Sequence, residues 1–225
     1  MPHLLGIDVG TTNTKVVLCD SEGRVQGQAS APTPTSPGAP GQASSDPEEV
    51  YATVLRAMAE AAAQCPSAKV VGIAVSSMAE AGVPLDSHSE PIFPIIAWHD
   101  NRTLPYRAWW AERIDDDAQY AITGLQPGHI YSLNKLLWLR DHEPAIYRRL
   151  ARWLSVSDYV AYRLCGVQAM SYSQASRTLA FDVRSLQWSD SLLQLAGVAP
   201  GVFPPAVSSG QALGPLSSAA ARTCG

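Results

Sequence analysis

Apolar positions open the chain in two short bursts. Leu4, Leu5, Ile7 and Val9 form a nearly continuous apolar run, and Val16, Val17 and Leu18 form a second, with small and hydroxylated residues between them. This pattern predicts strand, tight turn, strand, with the first strand buried on both faces. Asp20-Ser21-Glu22-Gly23 reads as the next turn, and residues 24–31 return as a third strand, completing an antiparallel meander. Residues 31–45, rich in Pro, Ser, Gly and Ala, read as a surface loop. A helix then starts with Asp46 as N-cap, Pro47 in its first turn and Glu49 closing a capping box. Val50, Val54, Met58, Ala61 and Cys65 fall on one face of it, and Pro66 ends it.

Further along, residues 69–75 predict a buried strand, followed by a turn segment from Ser76 to Gly82. Residues 83–85 and 91–98 predict short strands, and 101–114 a helix with Trp109 and Trp110 near its middle. Residues 132–142 predict an amphipathic helix, and 159–164 part of another. A strand is expected over 177–183, a helix over 189–195 and a last short helix over 217–223. Antiparallel strands first, then helix, strand and mixed elements make an α/β chain distinct from a uniform βαβ winding.

Composition narrows the function classes. A chain of 225 residues, 46% hydrophobic and 16% charged, has the composition of a folded domain with a substantial core. A formal charge of -4 gives no electrostatic footprint for nucleic acid or an anionic membrane, so neither is expected as a partner. Met1-Pro2-His3 lacks a basic leader region and no apolar run reaches membrane-span length, which points to a cytoplasmic protein. Cys19, Cys65, Cys165 and Cys224 lack metal-ligand spacing, as do the five histidines, so a metal held by protein ligands alone is not expected.

The chemistry concentrates at the first turn. Asp8 closes the first strand, Gly10 allows the backbone a positive φ and close approach to a ligand, and successive turn amides can form an anion-binding hollow. Thr11, Thr12 and Thr14 add hydroxyls, and Lys15 adds a compact positive charge. Asp8 is the acid in reach of a divalent cation, in keeping with Mg²⁺ sites built from one or two carboxylates plus substrate phosphates. A plain hairpin turn is the alternative reading, since Asp, Gly and Thr are ordinary turn residues. No Walker A lysine and no Gly-x-Gly-x-x-Gly occurs elsewhere, so a nucleotide would be handled through this hairpin.

Taken in order, Gly6-Ile7-Asp8-Val9-Gly10-Thr11-Thr12, Asp46-Pro47-Glu48-Glu49, Gly72-Ile73-Ala74-Val75-Ser76-Ser77-Met78, Trp98-His99-Asp100-Asn101-Arg102, Thr123-Gly124, Asn134-Lys135-Leu136-Leu137-Trp138 and Trp188-Ser189-Asp190 resemble the FGGY carbohydrate kinases. That family includes xylulose, gluconate and glycerol kinases. The resemblance implies a ribonuclease-H-like (actin-like ATPase) lobe with a mixed sheet, N-terminal antiparallel strands and flanking helices over residues 1–225. It corresponds to the family's N-terminal lobe. The general base and most nucleotide contacts belong to the second lobe, which implies no catalytic base in this chain and little activity from it alone. A homodimer is implied for the full-length enzyme.

The resemblance further implies ATP and Mg²⁺ as cofactors, with Asp8 on the metal and Gly10, Thr11, Thr12, Asn13 and Lys15 around the phosphates. Substrate is expected against Met78, Ala79 and Glu80 and against Trp98, Asp100 and Arg102. Met78-Ala79 departs from the family's patterns, while Glu80 falls where glycerol kinases place a Glu. An ionised Glu accepts hydrogen bonds and donates none, so it suits neighbouring hydroxyls of a neutral ketose or polyol and disfavours a sugar acid. Trp98 is expected as an apolar wall. Asp100 is expected to accept from a hydroxyl, and Arg102 to orient it or approach the phosphoryl group, with a local ion pair as the plain alternative. Ile130 stands where glycerol kinases carry a Tyr, which favours a xylulose-like ketose over glycerol or a tetritol. An actin-like ATP-binding scaffold without sugar chemistry is the competing function, and the Trp98–Arg102 segment separates the two.

Overall fold

A computed structural model describes residues 1–224. The opening hairpin forms as β1 (Pro2–Val9) and β2 (Asn13–Asp20), and β3 (Val25–Pro32) completes the antiparallel meander. Within the expected loop, two short strands form, β4 (Ser36–Pro37) and β5 (Ala43–Ser45). Helix α1 (Pro47–Ala63) follows, capped by the Asp46 side chain, which accepts from the Glu48 amide. Gln64 ends the helix before Pro66, and its side-chain amide exchanges hydrogen bonds with the Gln28 backbone at 2.7 and 3.1 Å. The close seat of α1 on β3 explains Gly27, where an added Cβ would lie 2.2 Å from the Ala61 carbonyl oxygen.

Strand β6 (Lys69–Ser77) runs parallel to β1, giving a four-stranded mixed sheet of order β3-β2-β1-β6. Burial along β1 alternates strictly. Leu5, Ile7 and Val9 point into the core with Val50, Val54 and Met58 of α1, whereas Leu4 and Asp8 are exposed. The expectation of strands buried on both faces is therefore corrected. α1 and α6 (introduced below) cover one face, and among the described residues β6 has no partner at its outer edge, leaving Val70 and Val71 exposed. Apolar content alone did not reveal this, because both faces of the strand carry apolar residues.

Part of the remainder builds a second core that includes Leu133, Leu136, Trp153 and Phe181, while Val83, Leu85, Val156 and Tyr159 join the first. β7 (Gly82–Leu85) covers the strand expected over 83–85, whereas β8 (Ile95–Ile96) is shorter than the strand expected over 91–98, and β8 pairs with β5. The helix expected over 101–114 is broken into a 3₁₀ turn over Asn101–Thr103 and α2 (Tyr106–Ala111), because Pro105 interrupts the helical hydrogen bonding. Next come α3 (Asp116–Thr123), α4 (Ser132–His142), α5 (Pro144–Tyr147), β9 (Arg152–Ser155) and α6 (Val156–Cys165). Helix α4 has the expected bounds but is buried nearly all round, with Leu133, Leu136, Leu137 and Leu139 in the second core. Each such Leu contributes about 2–5 kcal/mol by the usual cost of truncation to Ala.

After β10 (Met170–Ser171) and α7 (Tyr172–Ala175), only β11 (Phe181–Asp182) is extended within the strand expected at 177–183. β12 (Gln187–Trp188), α8 (Asp190–Ala196), β13 (Ala206–Val207) and α9 (Ser218–Cys224) close the chain.

Candidate functional site

β1 and β6 are parallel neighbours, so the turns beyond Val9 and Ser77 leave the sheet at the same edge. Open α/β sheets gather ligands at that edge. The exposed carboxylate of Asp8 accepts a 2.9 Å hydrogen bond from Ser76 Oγ and stands opposite Lys15 in the β1–β2 register. Ser76 is a site residue that sequence reasoning passed over, since its pairing with Asp8 exists only across strands.

The turn itself is braced from beneath. Gly10 N–H donates to the Asn13 carbonyl at 3.0 Å, and Thr33 Oγ1 donates to the Gly10 carbonyl at 2.8 Å. Thr14 is buried against Thr33 at 3.0 Å, so it supports the turn instead of facing a ligand. Gly10 does not adopt the expected positive φ. Its need for glycine is steric, because an added Cβ would lie 2.9 Å from Asn13 O. Thr11, Thr12 and Lys15 are exposed beside it and Asn13 is half-buried. Among the described residues no group of three or more His, Cys, Asp or Glu side chains is placed to hold a metal. A lone exposed carboxylate with a hydroxyl and an ammonium beside it fits a cation that brings its own phosphate oxygens and waters.

Thr11 links this turn to the second expected cluster. Its Oγ1 accepts from Trp98 Nε1 at 3.0 Å and donates to Met78 Sδ at 3.9 Å. Trp98 is exposed, with the His99 ring edge-on to it at 5.3 Å. The turn that carries Met78, Ala79 and Glu80 is held by α6, whose Ser157 amide donates to Ser77 Oγ at 3.0 Å and whose Val156 amide donates to Ala81 O at 3.2 Å.

Glu80 takes a left-handed φ of 64° that turns its side chain inward, leaving it only 4% exposed. Such backbone strain in a non-glycine residue costs about 1–3 kcal/mol and collects at functional sites. Neither carboxylate oxygen accepts a hydrogen bond of full geometry, although the Ser132 amide and the Arg177 guanidinium approach the carboxyl and lower its pKa. Arg177 Nε lies 3.1 Å from Oε1 as an ion-pair contact, off the line of a hydrogen bond. Burial raises the Glu80 pKa to about 8, against the lowering effect of the Lys135 and Arg177 charges. The ionised acceptor expected from sequence is thus poised, not permanent: near neutral pH the unliganded side chain holds a proton.

Asp100 departs from expectation. Its Oδ1 accepts from Arg102 N at 2.9 Å and Arg102 Nε at 2.8 Å, and its Oδ2 accepts from Arg102 Nη2 at 2.9 Å and Ala43 N at 2.7 Å. Four donors fill the acceptor sites of a carboxylate, and the side chain is fully buried. Burial pushes its pKa up, but the hydrogen bonds from Arg102 and Ala43 outweigh that and hold it below the usual range. Asp100 is therefore an internal brace joining the Trp98 segment to β5, the plain alternative in the sequence reading. Arg102 likewise is nearly buried, its guanidinium 4.8 Å from the Trp138 ring centre, and it does not reach toward the phosphate turn.

Two cations, Arg177 and Lys135, act on Glu80. Arg177 lies just beyond α7, with its guanidinium 5.9 Å from the Tyr131 ring centre. Lys135 of α4 is wholly buried and donates to the Ile130 carbonyl. Asn134 holds the loop before α4 by donating to Gly128 O at 3.1 Å and His129 O at 3.0 Å. A Lys inside an otherwise apolar helical run was the sequence signal available for this cluster. A hollow of about 650 Å³ lies elsewhere, between β6, α6 and residues 207–216. Its lining is mostly apolar and it contains none of the expected phosphate or sugar residues, so the convergent polar groups, not the volume, mark the site.

The family model for the N-terminal domain of the FGGY carbohydrate kinases matches residues 3–225. The chain is 29% identical over 218 residues to a xylulose kinase of Bacillus subtilis, covering 96% of this chain and 44% of that protein. It is 30% identical over 220 residues to a glycerol kinase of Thermococcus onnurineus, covering 94% and 44% respectively. The solved xylulose kinase of Rhodospirillum rubrum superposes with a TM-score of 0.94 at 28% identity, over 99% of this chain and 47% of that one. The chain thus spans a little under half the length of the relatives it matches. Their fold, an actin-like or ribonuclease-H-like α/β lobe with a mixed sheet, is the fold described above. On the match across residues 3–225, the chain belongs to the FGGY family of carbohydrate kinases, of which it carries the N-terminal domain.

Proposed function

We propose that this chain is the acceptor-binding lobe of an ATP-dependent kinase that transfers the γ-phosphate of MgATP to a hydroxyl of a small neutral ketose or polyol, with a xylulose-like ketose favoured. The observation that carries this reading is Glu80, a buried carboxyl with two oxygens that accept no hydrogen bond of full geometry, beside an exposed Trp98 tied to the phosphate turn. Unpaired buried acceptors are costly unless a ligand supplies donors. Two neighbouring hydroxyls of a polyol supply them, and the Trp98 ring offers a face to the carbon skeleton. Glu80 ionised as a double acceptor repels a carboxylate, so aldonic acids are disfavoured.

On the phosphate side, Thr11, Thr12, Asn13, Lys15 and the Gly10 backbone would surround the β- and γ-phosphates, and Asp8 would hold Mg²⁺. The metal, when bound, supplies charge neutralisation for phosphoryl transfer. Within this lobe the residues orient the acceptor and the phosphates. The proton of the attacking hydroxyl is assigned to a base in the second lobe, as the resemblance implies, and Asp100 is already filled by its donors. A cytoplasmic homodimer remains our reading for the complete enzyme. No helix among the described residues is long and apolar enough to cross a membrane.

Calorimetric titration of the chain with xylulose, glycerol and gluconate tests the reading. Saturable binding of a neutral ligand, weakened about tenfold or more but still measurable in Glu80→Gln, is expected. Gluconate as the tightest ligand, or an unchanged isotherm in Glu80→Gln, overturns it.

A further inference from the structure

Lys135 is a buried charge to which the proposed reaction assigns no task. It is 0% exposed, yet among the described residues it forms no direct ion pair. One of its three donors is used, on Ile130 O. A wholly buried ammonium is expensive unless opposite charge stands close by.

The charged and titratable groups near it come from three stretches of chain. Glu80 lies on the turn after β6, Asp100 and Arg102 at the 3₁₀ turn, and His129 in the loop before α4. Tyr131 and Arg177 face Glu80 from its other side. Of the two carboxylates, Asp100 already accepts four hydrogen bonds and Glu80 accepts none of full geometry. Of the two cations near Glu80, the Arg177 side chain is 41% exposed and screened by water, while Lys135 is not. The field of a buried charge is many times stronger than that of a solvated one at equal distance.

We propose, resting on the polyol reading above, that Lys135 is a positioning residue whose buried charge holds Glu80 as an ionised double acceptor for two substrate hydroxyls. When the ligand binds, Glu80 gives up its proton to bulk water and both of its oxygens accept from the ligand, while Lys135 keeps its own proton and remains the countercharge. Burial lowers the Lys135 pKa to about 8, with the Glu80 and Asp100 charges opposing that fall. Binding near neutral pH is therefore accompanied by proton release and strengthens as pH rises toward 8.

The test combines Lys135→Met, of similar length but uncharged, with Lys135→Arg, which keeps the charge. Carboxyl ¹³C NMR follows Glu80 in the ligand-free chain, and calorimetry in buffers of different ionisation heat counts protons released on binding xylulose or glycerol. Lys135→Met should raise the Glu80 titration by about one unit or more. It should weaken polyol binding at pH 7 about tenfold, because the ionised fraction falls by that factor. Lys135→Arg should retain the wild-type pH profile, and Lys135→Met should have no further effect on binding in a Glu80→Gln background. If Lys135→Met does not fold, Lys135→Gln takes its place in the same titrations. An unshifted Glu80 titration, or equal weakening at every pH, refutes the proposal. Failure of the wild-type chain to bind any polyol refutes the carbohydrate reading instead, and the NMR titration then decides the role of Lys135 toward Glu80 by itself.

Discussion

Asp100→Asn tests the assignment of Asp100 as a brace. The carboxylate and the Arg102 guanidinium are 0% and 8% exposed, joined by two side-chain hydrogen bonds, with the Arg102 and Ala43 amides completing the shell. Asparagine keeps the shape but turns an NH₂ group toward donors and leaves the guanidinium without a countercharge. Removing one partner of a buried pair costs about 3–5 kcal/mol. A domain of this size loses roughly 2–4 °C of Tm per kcal/mol, so Tm should fall by about 6–20 °C. The π-face of Trp138 at 4.8 Å cushions Arg102 and favours the lower half of that range.

Urea unfolding with thermal melts measures the loss, and Asp100→Asn combined with Arg102→Met supplies the control. With neither charge left, the double variant should recover most of the stability. The pH dependence has a fixed sign. The folded carboxyl titrates below its ordinary 3.8, so its contribution is present above pH 4 and is lost as pH falls through the lower folded value. A loss under about 1 kcal/mol accompanied by abolished polyol binding refutes the brace and restores Asp100 as a ligand residue.

Three further outcomes are expected. Asp8→Asn should leave Tm unchanged, since the side chain is exposed, while phosphotransfer by the enzyme containing this lobe drops by about a hundredfold or more; near-normal turnover would make Asp8 a turn residue. MgATP should bind this chain no more tightly than the millimolar range, about −4 kcal/mol, and a saturating micromolar isotherm would contradict that. Asp158, whose buried carboxyl accepts from Ser155 Oγ and the Ser171 amide, has its pKa raised by burial from 3.8 to about 6. Its stabilising effect is full below pH 4 and lost as pH rises through 6, so Asp158→Asn should flatten the decline in wild-type Tm across that window, and an identical pH profile would refute the buried titration.

Local chemistry made the backbone plan legible in the sequence. The meander followed from apolar bursts separated by turn residues and α1 from Asp46-Pro47, while α4 and α8 formed where 132–142 and 189–195 predict helices. Those signals act within a few residues and need no partner. The tight turn after β1 was legible for the same reason, although glycine is required at Gly10 for clearance from Asn13 O.

Tertiary structure decided what depends on residues far apart in the chain. The open face of β1 and the free edge of β6 reflect which surfaces helices cover, and strand composition carries no record of that. Asp100 looked like a ligand because its four donors come partly from Ala43, 57 positions away. Ser76 met Asp8 only through the parallel pairing of β1 and β6. Glu80 became a buried, protonated acid because a left-handed turn at one residue carried it into a dry space shared with Lys135 and Arg177. Its carboxyl chemistry was written in the sequence, and its charge was set by the dielectric and the charged neighbours that folding assembled around it.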